Sequence, residues 1–202
     1  MTNVLIIGAT SSMGQIATKY FLDKTDDNIT LMARYIGLLE IDESRERVFQ
    51  GDIIDEKILN DAMIDTDVVL VSLDENRERM IQKIIVAMDR NNVKRLLFLT
   101  SMGICNEIPI TVGASGNLLE DSILKPYQQV INLIESSDVN YTIIRPSWLD
   151  NGTDDQNYVL VHNGGKFKEN NVSRASVADL ILRLAKDSRL CSHDNLAISR
   201  SK

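Results

Sequence analysis

No part of the chain restricts its fold as tightly as Asn3 to Tyr20, NVLIIGATSSMGQIATKY. An apolar run, Val4-Leu5-Ile6-Ile7, enters a turn bounded by glycines, Gly8-Ala9-Thr10-Ser11-Ser12-Met13-Gly14. A helical pattern follows, with Ile16, Ala17, Tyr20 and Phe21 expected on one face. Strand, glycine turn and helix in this order are the layout of a dinucleotide-binding site. The free N–H groups at the helix start, reinforced by the helix dipole, favour a pyrophosphate there. The spacing suits G-x-x-G-x-x-G, except that Ser11 holds the middle glycine position.

Beyond this stretch, short apolar runs alternate with longer helical patterns. Ile29–Arg34 and Arg47–Gln50 read as a second and third strand, and Asp55 caps a helix running through Asp65. Asp67–Leu73 and Arg95–Ser101 are unbroken apolar runs, as central parallel strands covered on both faces should be. Between them, Asn76–Arg90 carries Met80, Ile81, Ile84, Ile85 and Met88 at helical spacing. Residues 102–117, with Gly103, Pro109, Gly113 and Gly116, read as a long loop of the kind that is often functional. A helix over Tyr127–Ser137, a strand over Tyr141–Pro146, and a strand over Tyr158–His162 come next. The turn Asn163-Gly164-Gly165 predicts a small hairpin there. Ser173 or Ser176 starts a last helix through Lys186, and Leu196–Ser199 is a final strand.

Repeated strand–helix units with apolar strands predict an α/β, Rossmann-type doubly wound, mostly parallel sheet with helices on both faces. With no repeat or linker in its 202 residues, the chain reads as one domain, 1–202. Ligands of such a sheet bind at the carboxyl ends of the strands, which here are Gly8–Gly14, Arg34, Asp52, Leu73, Ser101 and Pro146.

Arg34 lies twenty residues after Gly14, at the end of the second strand, where an NAD-preferring site places Asp or Glu on the ribose hydroxyls. A guanidinium there pairs instead with the 2′-phosphate of NADP; the plainer reading is a solvated strand-end arginine. Asp52 either accepts from an adenine amine or organises the turn before the next helix. Ser11 and Ser12 either donate to phosphate or cap the helix. Ser101 either binds a substrate carbonyl or ends its strand by bonding backbone.

Charge and composition exclude other classes. A net charge of −7 argues against binding nucleic acid by charge. No apolar run approaches the roughly 18 residues of a membrane span. The start lacks the basic region of a signal peptide, which gives a cytoplasmic expectation. Cys105 and Cys191, and His162 and His193, have no metal-ligand spacing, so no metal is expected.

The blocks IIGATSSMG, LMAR, QGDIID, VKRLLFLTSMGI, VNYTIIRPSWL and VSRASVADLILRL, in this order over nearly the whole chain, resemble the short-chain dehydrogenase/reductase superfamily. The resemblance is to its atypical NAD(P)H-binding branch of NmrA-like and biliverdin-reductase-B-like proteins. It implies that Gly8, Thr10, Ser11, Ser12, Met13 and Gly14 form the phosphate turn. Arg34 then takes the NADP-favouring position, Asp52 the adenine contact and Ser101 the active-site serine. Pro146, Ser147 and Trp148 fall where the chain passes the nicotinamide.

Active members carry Tyr-x-x-x-Lys on the helix after the long loop, tyrosine as general acid and lysine to lower its pKa. Here the pair is broken. Tyr127 lies 26 residues past Ser101, but Ile131 stands at the lysine position; if Lys125 takes that place, Asp121 replaces the tyrosine. Tyr127 is thus a lone acid or an ordinary helix tyrosine, and Lys125 a ribose ligand or a solvated lysine. The one intact match, Tyr20 to Lys24, lies at the end of the first helix and is set aside as surface coincidence. The expected function is NADP(H)-dependent reduction of a small acceptor, with NADP(H) favoured over NAD(H). The alternative is a non-catalytic NAD(P)-binding redox sensor or regulator, with a protein partner or a homodimer. A sugar-nucleotide epimerase is disfavoured, since only about 55 residues follow Pro146.

Overall fold

A computed structural model describes residues 1–37, 39–73, 78–109, 116–154, 156–162, 165–166 and 171–201. Its first half alternates strand and helix: β1 (Asn3–Ile7), α1 (Ser12–Lys24), β2 (Asn28–Ala33), β3 (Glu46–Gln50), α2 (Glu56–Met63), β4 (Val68–Val71), α3 (Glu78–Arg90) and β5 (Arg95–Leu99). A single 3₁₀ turn at Ser122–Leu124 leads into α4 (Lys125–Glu135). Then come β6 (Asn140–Pro146), β7 (Trp148–Asp150), β8 (Tyr158–His162), β9 (Asn171–Ser173), α5 (Arg174–Lys186) and β10 (Asp194–Arg200).

Among the described residues, eight strands form one sheet in the order β3-β2-β1-β4-β5-β6-β10-β8. Every pairing in it is parallel except β10 with β8. Successive side chains of a strand point to opposite faces, and the two cores follow that alternation. Leu5, Ile7, Val69, Val71, Leu96 and Phe98 face α2, α3 and α4. Val4, Ile6, Leu70, Leu97 and Leu99 face α1 and α5. Helices therefore cover both faces, which is why the central strands read as unbroken apolar runs. This is a Rossmann-type α/β fold.

The expected caps form. The carboxylate of Asp55 accepts from the N–H groups of Lys57 and Ile58, and the hydroxyl of Ser173 from that of Ser176. Two details depart from the expectation. The inner face of α1 is Met13, Gly14, Ala17 and Phe21, with Ile16 and Tyr20 only half-buried. β8 pairs antiparallel with β10, while the hairpin expected at Asn163-Gly164-Gly165 falls on residues that, apart from Gly165 and Lys166, lie outside the described ones. β7 and β9 form a separate two-stranded parallel sheet that no local signal announced. Gly113 and Asn76 also lie outside the described residues.

Glu46, at the start of the edge strand β3, is 6% exposed, and its Oε1 has no partner among the described residues. Burial raises its carboxyl above the ordinary 4.5, although its other oxygen accepts from the Asp42 N–H at 2.5 Å. The folded chain thus holds this proton at a pH where the unfolded chain has released it. The stability contributed by Glu46 is therefore present below 4.5 and falls as pH rises through the raised value. Glu46→Gln is expected to gain in Tm on the parent protein as pH rises from 4.5 to 7. Thermal unfolding across that range checks it, and a pH-independent difference between the two proteins would contradict it.

Candidate functional site

The strand order reverses between β1 and β4, and the carboxyl ends of β1–β4 open there into a cleft of about 550 Å³. This is where doubly wound sheets bind ligands. Its floor is the β1–α1 turn. Gly8 sits at φ +86, and a Cβ built on it falls 2.0 Å from the Ser72 carbonyl oxygen. Only glycine combines that backbone with so close an approach to β4. A Cβ on Gly14 would fall 2.3 Å from the Gly8 carbonyl oxygen, so the helix packs directly on the turn.

Ser11 combines both roles open to it. Its hydroxyl accepts from the Gly14 N–H at 3.0 Å, capping α1, and lies 2.8 Å from the Ser72 hydroxyl, which joins the turn to the end of β4. Ser11 also lines the cleft together with Gly8 and Thr10. The serine at the middle glycine position is accommodated without displacing the turn: its backbone has ordinary extended angles, φ −65 and ψ 158. Ser12 is exposed in the first turn of α1. Met13 is buried against the α1–α5 core, and neither it nor Gly14 lines the cleft.

Arg34 follows β2 and lines the cleft with Tyr35 beside it. Both are exposed, and Arg34 has no hydrogen-bond or ion-pair partner among the described residues. Asp52 lines the cleft while its Oδ1 accepts from the Ile54 N–H at 3.0 Å. It therefore organises the turn, as one reading held, with its other oxygen left for a ligand. Leu73 lines the same cleft. Ser72, immediate neighbour of Leu73, and the Gly51–Ile54 turn around Asp52 line it too, though only Asp52 and Leu73 of these are expected from the sequence as site residues. Nor are Arg79 and Met80, which enter from the first turn of α3, expected there.

The other half of the expected site lies elsewhere. Ser101, Lys125, Tyr127 and Pro146 do not line this cleft. Lys125 is exposed at the start of α4, and Tyr127 is half-buried against the apolar core. Ile131, at the lysine position of the broken pair, is 4% exposed and packs in that core. A lysine there would bring its charge into that apolar core. Tyr20 and Lys24, the one intact Tyr-x-x-x-Lys match, touch each other on α1, the ammonium 4.4 Å from the ring centroid, and neither lines this cleft.

The loop after Ser101 is tied to the sheet by a buried ion pair. Arg145 Nε donates to Glu107 Oε1 at 2.7 Å, each side chain 1% exposed, and Glu107 Oε2 accepts from the Cys105 N–H. Arg145 Nη1 donates to Asn195, whose amide in turn donates to Glu135. Burial pushes the Cys105 thiol up, so it stays protonated at neutral pH. No cluster of three or more His, Cys, Asp or Glu among the described residues can hold a metal ion. No helix among them is long and apolar enough to cross a membrane.

A family model described as NAD(P)H-binding matches residues 8–188. No curated protein matches the chain in sequence. Among solved structures, a short-chain dehydrogenase/reductase of Veillonella parvula DSM 2008, in complex with NADP, is 26% identical with a TM-score of 0.88, covering 98% of this chain and 94% of that one. A Rossmann-fold NAD(P)-binding family protein from Shigella flexneri is 29% identical with a TM-score of 0.84, covering 99% and 94%. ChuY, an anaerobillin reductase from Escherichia coli O157:H7, shares the fold at 16% identity and a TM-score of 0.77, covering 98% and 97%.

Proposed function

We propose that this chain, which belongs to the NAD(P)H-binding family, is an NADP(H)-dependent reductase of a small acceptor, acting as one domain. The observation that carries the cofactor choice is Arg34, a guanidinium with no partner among the described residues, in the cleft at the strand end where an NAD site carries a carboxylate. The cleft fits the group: Gly8, Thr10 and Ser11, the residue that caps α1, line it, where the bare Gly8 backbone packs directly against Ser72. In this reading Gly8–Gly14 hold the pyrophosphate, Asp52 the adenine, Leu73 the ribose side and Arg34 the 2′-phosphate. The bound nicotinamide supplies the hydride. The chain then has to bind, orient and exclude water, with Ser101 donating a hydrogen bond to a carbonyl acceptor and Tyr127 as a lone acid.

Titration calorimetry with NADP⁺ and NAD⁺ tests the cofactor. Arg34→Ala is expected to weaken NADP⁺ roughly 10- to 100-fold, the range of one charge-assisted phosphate contact, and to change NAD⁺ little. Unchanged selectivity would remove Arg34 from the 2′-phosphate.

A second reading, a non-catalytic dinucleotide sensor that docks on a protein partner or on a second copy, is favoured by the buried Ile131 at the lysine position. NADPH oxidation with a panel of quinone, flavin and carbonyl acceptors separates the two. Binding without turnover on any acceptor supports the sensor.

A further inference from the structure

The described arginines of this chain sort into two groups. Arg45, Arg47, Arg90, Arg95, Arg145, Arg174, Arg183, Arg189 and Arg200 each donate to an acceptor of the protein. Among the described residues only Arg34 and Arg79 do not, and both line the cleft at the carboxyl ends of β1–β4. They reach it from different elements, Arg34 from the end of β2 and Arg79 from the first turn of α3. A cation in the first turn opposes the helix dipole, which favours acids there. Glu78 beside it follows that preference and Arg79 does not. In a chain of net charge −7, an arginine that opposes its own helix end and has no acceptor among the described residues is placed for something that enters the cleft.

We infer that Arg79 is a second cationic jaw of the dinucleotide site, its guanidinium stacking on the adenine ring across from the Gly51–Ile54 turn. The inference rests on the dinucleotide reading above. Three features favour the base over the 2′-phosphate. Arg34 already stands at the phosphate position, and Asp52, whose free oxygen suits an adenine amine, shares the cleft with Arg79. Met80, next in the chain, lines the same cleft and supplies an apolar contact suited to a flat ring. A planar guanidinium stacks on aromatic faces where an ammonium does not.

The test is titration of NADP⁺ and NAD⁺ into the full-length parent protein, Arg79→Ala, Arg79→Lys and Arg79→Gln, with thermal unfolding as the check on folding. Arg79→Ala is expected to weaken both dinucleotides alike, by roughly 5- to 30-fold, the scale of one desolvated cation–π contact. Arg79→Lys is expected to fail to restore the affinity. Loss confined to NADP⁺ would place Arg79 on the 2′-phosphate and overturn the stacking role. Full rescue by Arg79→Lys would reduce it to charge alone, and unchanged binding in every variant would remove it from the site. If Arg79→Ala unfolds, Arg79→Gln, which keeps an unbranched polar side chain but no guanidinium, carries the same expectation. A parent protein that binds neither dinucleotide overturns the cofactor reading itself and this inference with it. A parent that binds while the variants match it overturns this inference alone.

Discussion

Glu107→Ala is expected to destabilise the protein by about 3–5 kcal/mol, the usual cost of leaving one partner of a buried ion pair without the other. Arg145 is 0% exposed and Glu107 1%, so neither charge has water to fall back on. With Glu107 removed, the guanidinium keeps only the Asn195 side chain, and the Cys105 N–H loses its acceptor. Against a total stability of roughly 5–15 kcal/mol this is a large fraction, and for a chain of this size it corresponds to a Tm loss of roughly 6–20 °C. The ion pair itself is not the source of that stability. Replacing both residues together, as Glu107→Leu with Arg145→Met, is expected to come out near neutral, since burying two charges costs about what their attraction returns. Thermal unfolding of the single and double variants decides it. A Glu107→Ala loss under about 2 °C would show that the charge reaches water by an easy rearrangement. The functional consequence follows from position: the pair holds the loop that begins after Ser101, so the single variant is also expected to speed amide exchange at Cys105 and its neighbours.

That pair shows where reading the sequence stops. Glu107 and Arg145 are 38 positions apart, one in a loop and one in a strand, and nothing local marks them as partners. The strands that were legible are those whose environment is uniform along the chain. Val68–Val71 and Leu96–Leu99 are apolar at every position because helices cover both faces. The helix caps at Asp55 and Ser173 were legible because a cap is satisfied within four residues. The Tyr158–His162 strand was legible, but its partner was not, because a turn signal speaks only for neighbours and β10 begins more than 30 residues later. The face of α1 was misjudged because Gly14 has no side chain to register in a hydrophobic pattern, yet its bareness is what lets the helix rest on Gly8. The cleft divides in the same way. Gly8, Arg34, Asp52 and Leu73 line it at strand ends, which periodicity locates, whereas Arg79 lines it from a helix and needs the strands assembled around it.

The turn that organised the sequence reading is also where the smallest substitution should do most to the function. Gly8→Ala is expected to abolish measurable dinucleotide binding and to destabilise the fold by about 3 kcal/mol or more. A left-handed backbone costs an L-residue roughly 1–2 kcal/mol on its own. Added to it is the steric conflict of a Cβ at 2.0 Å from the Ser72 carbonyl oxygen and 2.8 Å from its carbon, a backbone that cannot swing aside as a side chain can. Ser72 continues the β1–β4 ladder through its N–H to the Ile7 carbonyl at 2.9 Å. Relieving the clash therefore parts two central strands at the point where the order reverses. It also drags the hydroxyl of Ser72 from Ser11, 2.8 Å away, and with it the cap on α1. The control is Gly37→Ala, where a Cβ meets nothing within 4 Å. There the smaller entropy of the unfolded chain should leave stability unchanged or raise it by about 0.4–1 kcal/mol, with dinucleotide affinity intact. Denaturant unfolding and calorimetry on the two variants give the comparison. Equal behaviour of Gly8→Ala and Gly37→Ala would mean that the turn tolerates a side chain, and the cradle would lose its physical basis.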